Sequence, residues 1–316
     1  MGPTWVIGGG GLLGSAVVDR LTRDGASLIH QPIHWAQPER IPSDFSAGIA
    51  QLLAAHRDAP DNENLAVIWC AGAGVPSSPQ SVFDQEVTNF QAFLGRLSTL
   101  PSQVLMGLRM FYASSAGAVY AGVGAPPYDE TSPVRPLAPY GDAKLAMEEA
   151  LNRFSKSTGA RVVAGRISNL YGPGQDLTKA QGLVSALLMG SLSRRPIQIY
   201  VSLDTIRDYL FVTDAADLAI SCLEYLDAES PGSYRMKILC SGTGTTISAL
   251  LGLTRLVVGR KPLIVQSASR LAKVQTRDLT MRSVVWSQLG HRTAVGMVDG
   301  LGRTYRDLLR RRTAGE

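Results

Sequence analysis

A chain of 316 residues with 45% apolar and 18% charged side chains holds enough apolar material for one large core or two joined ones, and it is neither polar nor repetitive enough for long disorder. Its three cysteines, Cys70, Cys222 and Cys240, are far apart without C-x-x-C spacing; they argue against a disulfide framework or a zinc site and read as small buried apolar residues of a reduced, cytoplasmic protein with no metal. The net charge of +5 brings no aromatic-basic binding motif, so no nucleic-acid partner is expected, and Arg303, Arg306, Arg310, Arg311 and Arg312 read as the solvated face of a C-terminal helix.

In chain order, Trp5–Ile7 is a short apolar β run leading into Gly8-Gly9-Gly10-Gly11-Leu12-Leu13-Gly14. Ser15–Arg23 then reads as a helix stopped by Gly25, and Ser27–His30 regains β character. The apolar stretch Trp5–Val18 sits where a signal peptide would, but no basic residue precedes it and it is too short to cross a bilayer. No other stretch reaches spanning length, so no membrane partner is expected. Leu65–Cys70 is a second buried strand, followed by Ala71-Gly72-Ala73-Gly74. Gln85–Leu97 is helical, Gln103–Ala113 a strand, Tyr140–Phe154 a clear helix and Arg161–Arg166 a strand again. After Tyr171-Gly172-Pro173-Gly174 the pattern loosens: Gln181–Ser193 is helical and Pro196–Tyr200 a short strand. Tyr209–Val212 and Asp214–Leu226 read as one more strand and helix of the main sheet, and the remainder mixes short elements. The alternation predicts an α/β fold, a Rossmann-type doubly wound parallel sheet with a smaller C-terminal substrate-binding lobe. The expected division is 1–172, with 207–227 returning to it, for the Rossmann domain, and 173–206 and 228–316 for the lobe.

Gly8, Gly11 and Gly14 form G-x-x-G-x-x-G, and Gly9, Gly11 and Gly14 satisfy G-x-G-x-x-G. After an apolar strand and before a helix, glycine permits a tight turn, close backbone approach to a pyrophosphate, and close packing of helix on strand. The helix N-terminus then turns free N–H groups toward phosphate oxygens. Gly8, Gly10, Gly11, Leu12, Leu13 and Gly14 are therefore candidate contacts to a nicotinamide nucleotide. An acid that usually follows ~20 positions on to hold the adenosine ribose is missing from Ile29–His34; Asp24 comes too early and Glu39 too late. NAD is the expected cofactor with NADP left open, and His30, His34 and Arg40 are candidates to face a 2′-phosphate.

Tyr140 and Lys144 lie four apart at the start of a helix and so share a face. A tyrosine with its ordinary pKa of ~10 is a weak base at neutral pH, but a nearby ammonium and a nicotinamide cation favour the phenolate. Tyr140 could then take a proton from a substrate hydroxyl while hydride leaves the same carbon.

Together these residues resemble the extended short-chain dehydrogenase/reductase superfamily, specifically its NAD-dependent epimerase/dehydratase family, over nearly the whole chain. Beside the glycine motif, the resemblance rests on Ala71-Gly72-Ala73-Gly74 as the turn under the cofactor, Asn89 in the fourth helix, the serine-containing strand end within Tyr112–Tyr120, Pro139-Tyr140 with Lys144, Arg166–Gly174, and Arg207-Asp208-Tyr209 with Val212 and Asp214. It implies that Ala71, Gly72, Ala73, Tyr140 and Lys144 also meet the cofactor, and that the third catalytic residue is a Ser or Thr where this chain has Ala116. Ser115, one position earlier, takes that role, with Ser114 in reserve. Gly117 and Ala118 stand where family dehydratases carry Asp and Glu, which disfavours dehydration and decarboxylation. The resemblance also implies a nucleotide-sugar substrate, held by Ser115, Asn169, Arg207 and Arg277, and a homodimer. The leading reading is an epimerase with Ser115, Tyr140 and Lys144 catalytic. The alternatives are a ketoreductase consuming NAD(P)H and a non-catalytic NAD(P)-binding protein. Ile7 in place of a threonine, the lack of a glycine-rich turn in Val201–Ile206, and a segment between Pro32 and Leu65 that omits an expected strand are departures from the family pattern.

Overall fold

The structure, a computed structural model, describes residues 2–58, 64–178, 182–267, 276–292 and 295–314, with backbone alone at 290–292. In chain order the first half holds β1 (Thr4–Ile7), α1 (Leu12–Arg23), β2 (Leu28–Ile29), α2 (Ile41–Asp58), β3 (Ala66–Trp69), α3 (Gln80–Leu97), α4 (Ser102–Met106), β4 (Arg109–Ser115), α5 (Ala116–Val119) and α6 (Pro139–Thr158). The second half holds β5 (Arg161–Ile167), β6 (Asn169–Tyr171), α7 (Leu183–Ser193), β7 (Ile197–Ile199), β8 (Ile206–Phe211), α8 (Val212–Tyr225), β9 (Tyr234–Leu239), β10 (Gly244–Thr246), α9 (Ile247–Val258), β11 (Ile264–Gln266), β12 (Asp278–Leu279) and α10 (Met297–Ala314). Two compact units divide the chain: Met1–Ser115, Ala138–Arg166 and Ala216–Lys237 form one, and Ala116–Leu137, Ile167–Ala215 and Ile238–Glu316 the other.

The first unit is built on a six-stranded sheet in the order β2-β1-β3-β4-β5-β9. β1 pairs parallel with β2 and β3, and β3 parallel with β4. All four residues of β3 are buried, as a parallel strand covered on both faces requires. One face carries an aromatic core in which Trp69 lies 4.9 Å from Phe90 and Phe45 lies 5.2 Å from Phe93, ring centre to ring centre. α3 feeds that core because Phe83, Phe90, Phe93, Leu94 and Leu97 recur at helical spacing on its buried side. α6 begins with proline at its first turn, where a missing N–H costs nothing, and ends on Gly159 in the left-handed region at φ 82°.

Several expectations need correction. The segment after Pro32 is filled by the eighteen-residue α2, which packs so closely on β1 that a Cβ on Gly48 would lie 2.2 Å from the Trp5 ring. Gln103–Ala113 is not one strand: Ser102–Met106 is a helix closed by Gly107, and β4 starts at Arg109. β2 keeps only Leu28–Ile29. α3 starts five residues before Gln85, after Pro79. α7 starts at Leu183, and Gln181 lies outside the described residues. The strand expected at Tyr209–Val212 is β8, which pairs with β6, β10 and β12; the sixth strand of the main sheet is β9, inside the stretch read as short mixed elements.

In the second unit β8 is the hub, parallel to β6 and β12 and antiparallel to β10, while β7 and β11 make a separate parallel pair. α10 rests on the β6–β8 pair at Gly300, where a Cβ would lie 2.2 Å from Tyr171 Oη. The arginines of α10 lie on its exposed face, with Arg311 half-buried, and three of them also make contacts. Arg303 pairs with Asp299 and lies 5.8 Å from the Phe211 ring centre, Arg311 donates to the Gln175 carbonyl at 3.0 Å, and Arg312 to the Leu192 carbonyl at 2.8 Å.

Candidate functional site

The glycine turn leaves the carboxyl end of β1, the edge where ligands bind in open α/β sheets. Gly8 has φ 88°, and a Cβ there would lie 2.5 Å from the Ala71 nitrogen. Gly11 donates its N–H to the Gly8 carbonyl at 3.0 Å and caps α1 without any side-chain bond. A Cβ on Gly14 would lie 2.1 Å from the Gly8 oxygen. Gly8 and Gly14 are thus required by backbone crowding, whereas a Cβ on Gly10 would meet nothing within 4 Å. Leu12, Leu13 and Gly14 open α1, and no acid stands in that first turn. Their N–H groups precede the first intrahelical acceptors, which leaves them for an anion. This cradle, with its exposed Gly10 and Gly11, fits the pyrophosphate of a dinucleotide.

At the end of β2 no acid appears. His34, a candidate for a 2′-phosphate, has its ring Nδ1 and its backbone N–H both at 2.9 Å from Asp44 Oδ2. These bonds hold the Asp44 carboxyl below its usual range. Arg40 Nη1 donates to Gln37 Oε1 at 3.2 Å on the exposed surface, and His30 is exposed.

Lys144 is 5% exposed. Its Nζ lies 5.4 Å from the Tyr140 ring centre and 5.5 Å from that of Tyr112 on β4, and 3.5 Å from where a Cβ on Gly72 would sit. α6 therefore brings Tyr140 and Lys144 to the turn that follows β3, where Ala71 and Ala73 also lie. Ser115 is the half-buried last residue of β4. Ser114, the reserve, is buried and donates to Glu148 Oε1 at 2.6 Å. Arg166 grips the same carboxylate, Nε to Oε1 at 3.0 Å and Nη2 to Oε2 at 2.7 Å. The alternation of a strand sends successive side chains to opposite faces, so Ser115 faces away from the side on which Ser114 meets Glu148.

In the second unit, Asn169 on β6 stands opposite Tyr209 of β8 and donates through Nδ2 to the Asp208 carbonyl at 3.0 Å. Arg207 Nη1 donates to the carbonyls of Ile206 at 2.8 Å and Thr276 at 2.9 Å, and burial pulls its pKa down. Arg277 is carried beside β8 by the bond from Ile206 N–H to its carbonyl, 2.8 Å. Its side chain is 77% exposed and paired with Asp204. Asp208 is fully buried and accepts from Ser168 Oγ, Ser241 N–H and Thr243 N–H; burial nonetheless raises its pKa. These donors tie Ser168, just ahead of β6, and the 241–243 backbone to β8.

Sequence reasoning passed over Glu86 and Glu148. Asn89, singled out on α3, accepts from Gln85 Nε2 at 2.9 Å on the outer side. Glu86 instead reaches the turn after β3, accepting from Ala73 N–H at 2.7 Å and Gly74 N–H at 2.6 Å. The signal was an acid set among the apolar positions of α3. Among the described residues no group of three or more His, Cys, Asp or Glu side chains could hold a metal, and no helix is long and apolar enough to cross a membrane.

Residues 4–236 match the NAD dependent epimerase/dehydratase family. The chain is 30% identical over 229 residues to a UDP-glucose 4-epimerase of Mycolicibacterium smegmatis, covering 68% of this chain and 71% of that protein. It is 26% identical over 200 residues to a dTDP-4-dehydro-6-deoxyglucose reductase of Escherichia coli, covering 63% of this chain and 61% of that protein. In fold it is similar to the crystal structure of the Thermus thermophilus UDP-glucose 4-epimerase in complex with NAD, with a TM-score of 0.78, 20% identity, and 97% and 99% of the two chains covered.

Proposed function

The chain belongs to the NAD-dependent epimerase/dehydratase family, and from that premise we propose that it is a nucleotide-sugar epimerase that keeps its NAD bound through turnover. The observation that carries this reading is the buried Lys144 ammonium, 5.4 Å from the Tyr140 ring centre, on the helix that flanks the dinucleotide-type turn. A buried ammonium is costly unless it serves a nearby anion.

Gly8, Gly10, Gly11, Leu12, Leu13 and Gly14 would hold the pyrophosphate, and Ala71, Gly72 and Ala73 would line the next stretch of the cofactor. NAD, when bound, supplies a hydride acceptor that can return the hydride. Tyr140 takes the proton from the sugar hydroxyl through its phenol oxygen and gives it back when the carbonyl is reduced. Lys144 supplies positive charge beside that oxygen and a donor for the nicotinamide ribose. Ser115 hydrogen-bonds the reacting oxygen, while Asn169, Arg207 and Arg277 hold the nucleotide part, the arginines matching its diphosphate. A keto sugar that turns over before reduction yields the epimer. Gly117 and Ala118 offer no proton-transferring side chain where dehydration would need one.

A second reading, an NAD(P)H-consuming ketoreductase, is favoured by the acid-free end of β2 and by the similarity to a sugar-nucleotide reductase. Denaturing freshly purified protein and identifying the released nucleotide by mass spectrometry separates the two. Stoichiometric NAD is expected of the epimerase. Protein that emerges empty and prefers NADPH supports the reductase, and failure to bind either nucleotide contradicts both.

A further inference from the structure

Glu86 lies three residues after Phe83 and four before Phe90, on the side of α3 that faces the core. A carboxylate on such a stripe needs partners, and the partners are backbone: Oε1 accepts from Ala73 N–H at 2.7 Å and Gly74 N–H at 2.6 Å. Both distances sit at the short end of the N–H···O range. The fit is close, since a Cβ on Gly74 would lie 2.5 Å from the Phe83 ring and 3.2 Å from Glu86 Oε1. The other oxygen reaches the neighbouring residue: the Cβ position of Gly72 lies 3.8 Å from Glu86 Oε2 and 3.5 Å from Lys144 Nζ. The turn after β3 is therefore bounded by a carboxylate from α3 and an ammonium from α6.

We propose that Glu86 is a positioning residue for the cofactor half of the site. It clamps the Ala73–Gly74 turn through two N–H bonds, and the clamped turn sets Gly72 against Lys144, which fixes the seat of the nicotinamide end. The seat's purpose rests on the function proposed above; the clamp itself does not.

Three variants separate acceptor geometry from charge. Glu86→Gln keeps an oxygen where Oε1 stands, Glu86→Asp keeps the charge but withdraws it by one methylene, and Glu86→Ala removes both. Amide hydrogen exchange at residues 73 and 74 reads the clamp without any ligand, and NADH titration reads the seat. Glu86→Ala and Glu86→Asp are expected to speed exchange there by about tenfold or more and to weaken NADH binding by roughly the same factor. They should lower kcat while leaving KM for the nucleotide sugar unchanged. Glu86→Gln is expected to stay near the parent in all three, a rescue that loss of general stability would not produce. If Glu86→Ala fails to fold, the Asp and Gln pair carries the comparison. The proposal is overturned if Glu86→Asp matches the parent in exchange and NADH affinity, or if Glu86→Gln is as impaired as Glu86→Asp. Parent protein that does not bind NADH overturns the cofactor reading alone, and the exchange result still decides the clamp.

Discussion

At the scale of single residues, the glycine turn and the Tyr140–Lys144 pair behave differently under substitution. A methyl group at Gly14 would lie 2.1 Å from the Gly8 oxygen, against backbone atoms of Gly8 and Gly9 with no flexible side chain to give way. Gly14→Ala is expected to push α1 off β1, destabilising the fold by ~1–3 kcal/mol and abolishing NADH binding, as thermal melts and fluorescence titration would register. Tyr140→Phe removes only a phenol oxygen on a half-exposed side chain. It should leave NADH binding and stability intact and cut kcat by ~10²–10⁴; undiminished turnover would sink the proton-transfer role. Glu148→Ala belongs to a third kind. It removes the carboxylate that pairs with the Arg166 guanidinium, 7% exposed, and the loss of one partner of a buried pair costs ~3–5 kcal/mol, readable by urea unfolding. The turn glycines, Tyr140 and Lys144 were legible in the sequence because each needs one residue type at one spacing. Glu86 and Glu148 were not, because their partners, Ala73, Gly74, Ser114 and Arg166, come together only through the packing of α3 and α6 on the sheet.

At the scale of elements, apolar periodicity located β1, α1, β3, α6 and β5, where burial and local preference agree. It failed where one apolar run serves two elements. Val104, Leu105 and Met106 are followed within four residues by the strand residues Met110 and Phe111, and Gly107 closes α4 before β4 begins at Arg109. β8 and β9 are both six residues long with two charged residues each, and which of them joins the main sheet depends on partners far away in the chain. α3 shows how much one stripe carries: Phe90 is fully buried against Trp69 and Tyr112, so Phe90→Ala should cost ~3–5 kcal/mol. In the second unit the stretch 128–132 is tied to 280–282. Asp129 accepts from Thr131 Oγ1 at 2.6 Å and from Arg282 Nη2 at 2.8 Å. The Thr131 hydroxyl, then the Arg282 guanidinium, hold its carboxyl down at about 2, below the ordinary 3.8. A depressed carboxyl stabilises the fold above its unfolded pKa and loses that contribution as pH falls toward the folded value. Wild type should therefore exceed Asp129→Asn by up to about 2 kcal/mol near neutrality, less with salt. The gap in urea-unfolding free energy should close between about pH 4 and pH 2.

At the scale of the whole molecule, the sequence made the α/β class and the cofactor edge of the sheet readable, since strand–glycine–helix order dictates where a dinucleotide sits. The substrate was less so. Asn169, Arg207 and Arg277 sit on β6 and β8 and just ahead of β12, strands of two or three to six residues whose pairings come from distant parts of the chain. The central claim is that hydride leaves a sugar carbon and returns to that same carbon without net use of cofactor. A nucleotide-sugar substrate carrying deuterium at the carbon that is inverted, incubated with purified protein and no added nicotinamide nucleotide, tests it most directly. The account predicts an epimer that retains the deuterium at that carbon, formed without accumulation of NADH. Loss of the label to solvent, or product formed only as added NAD(P)H is consumed, would contradict it.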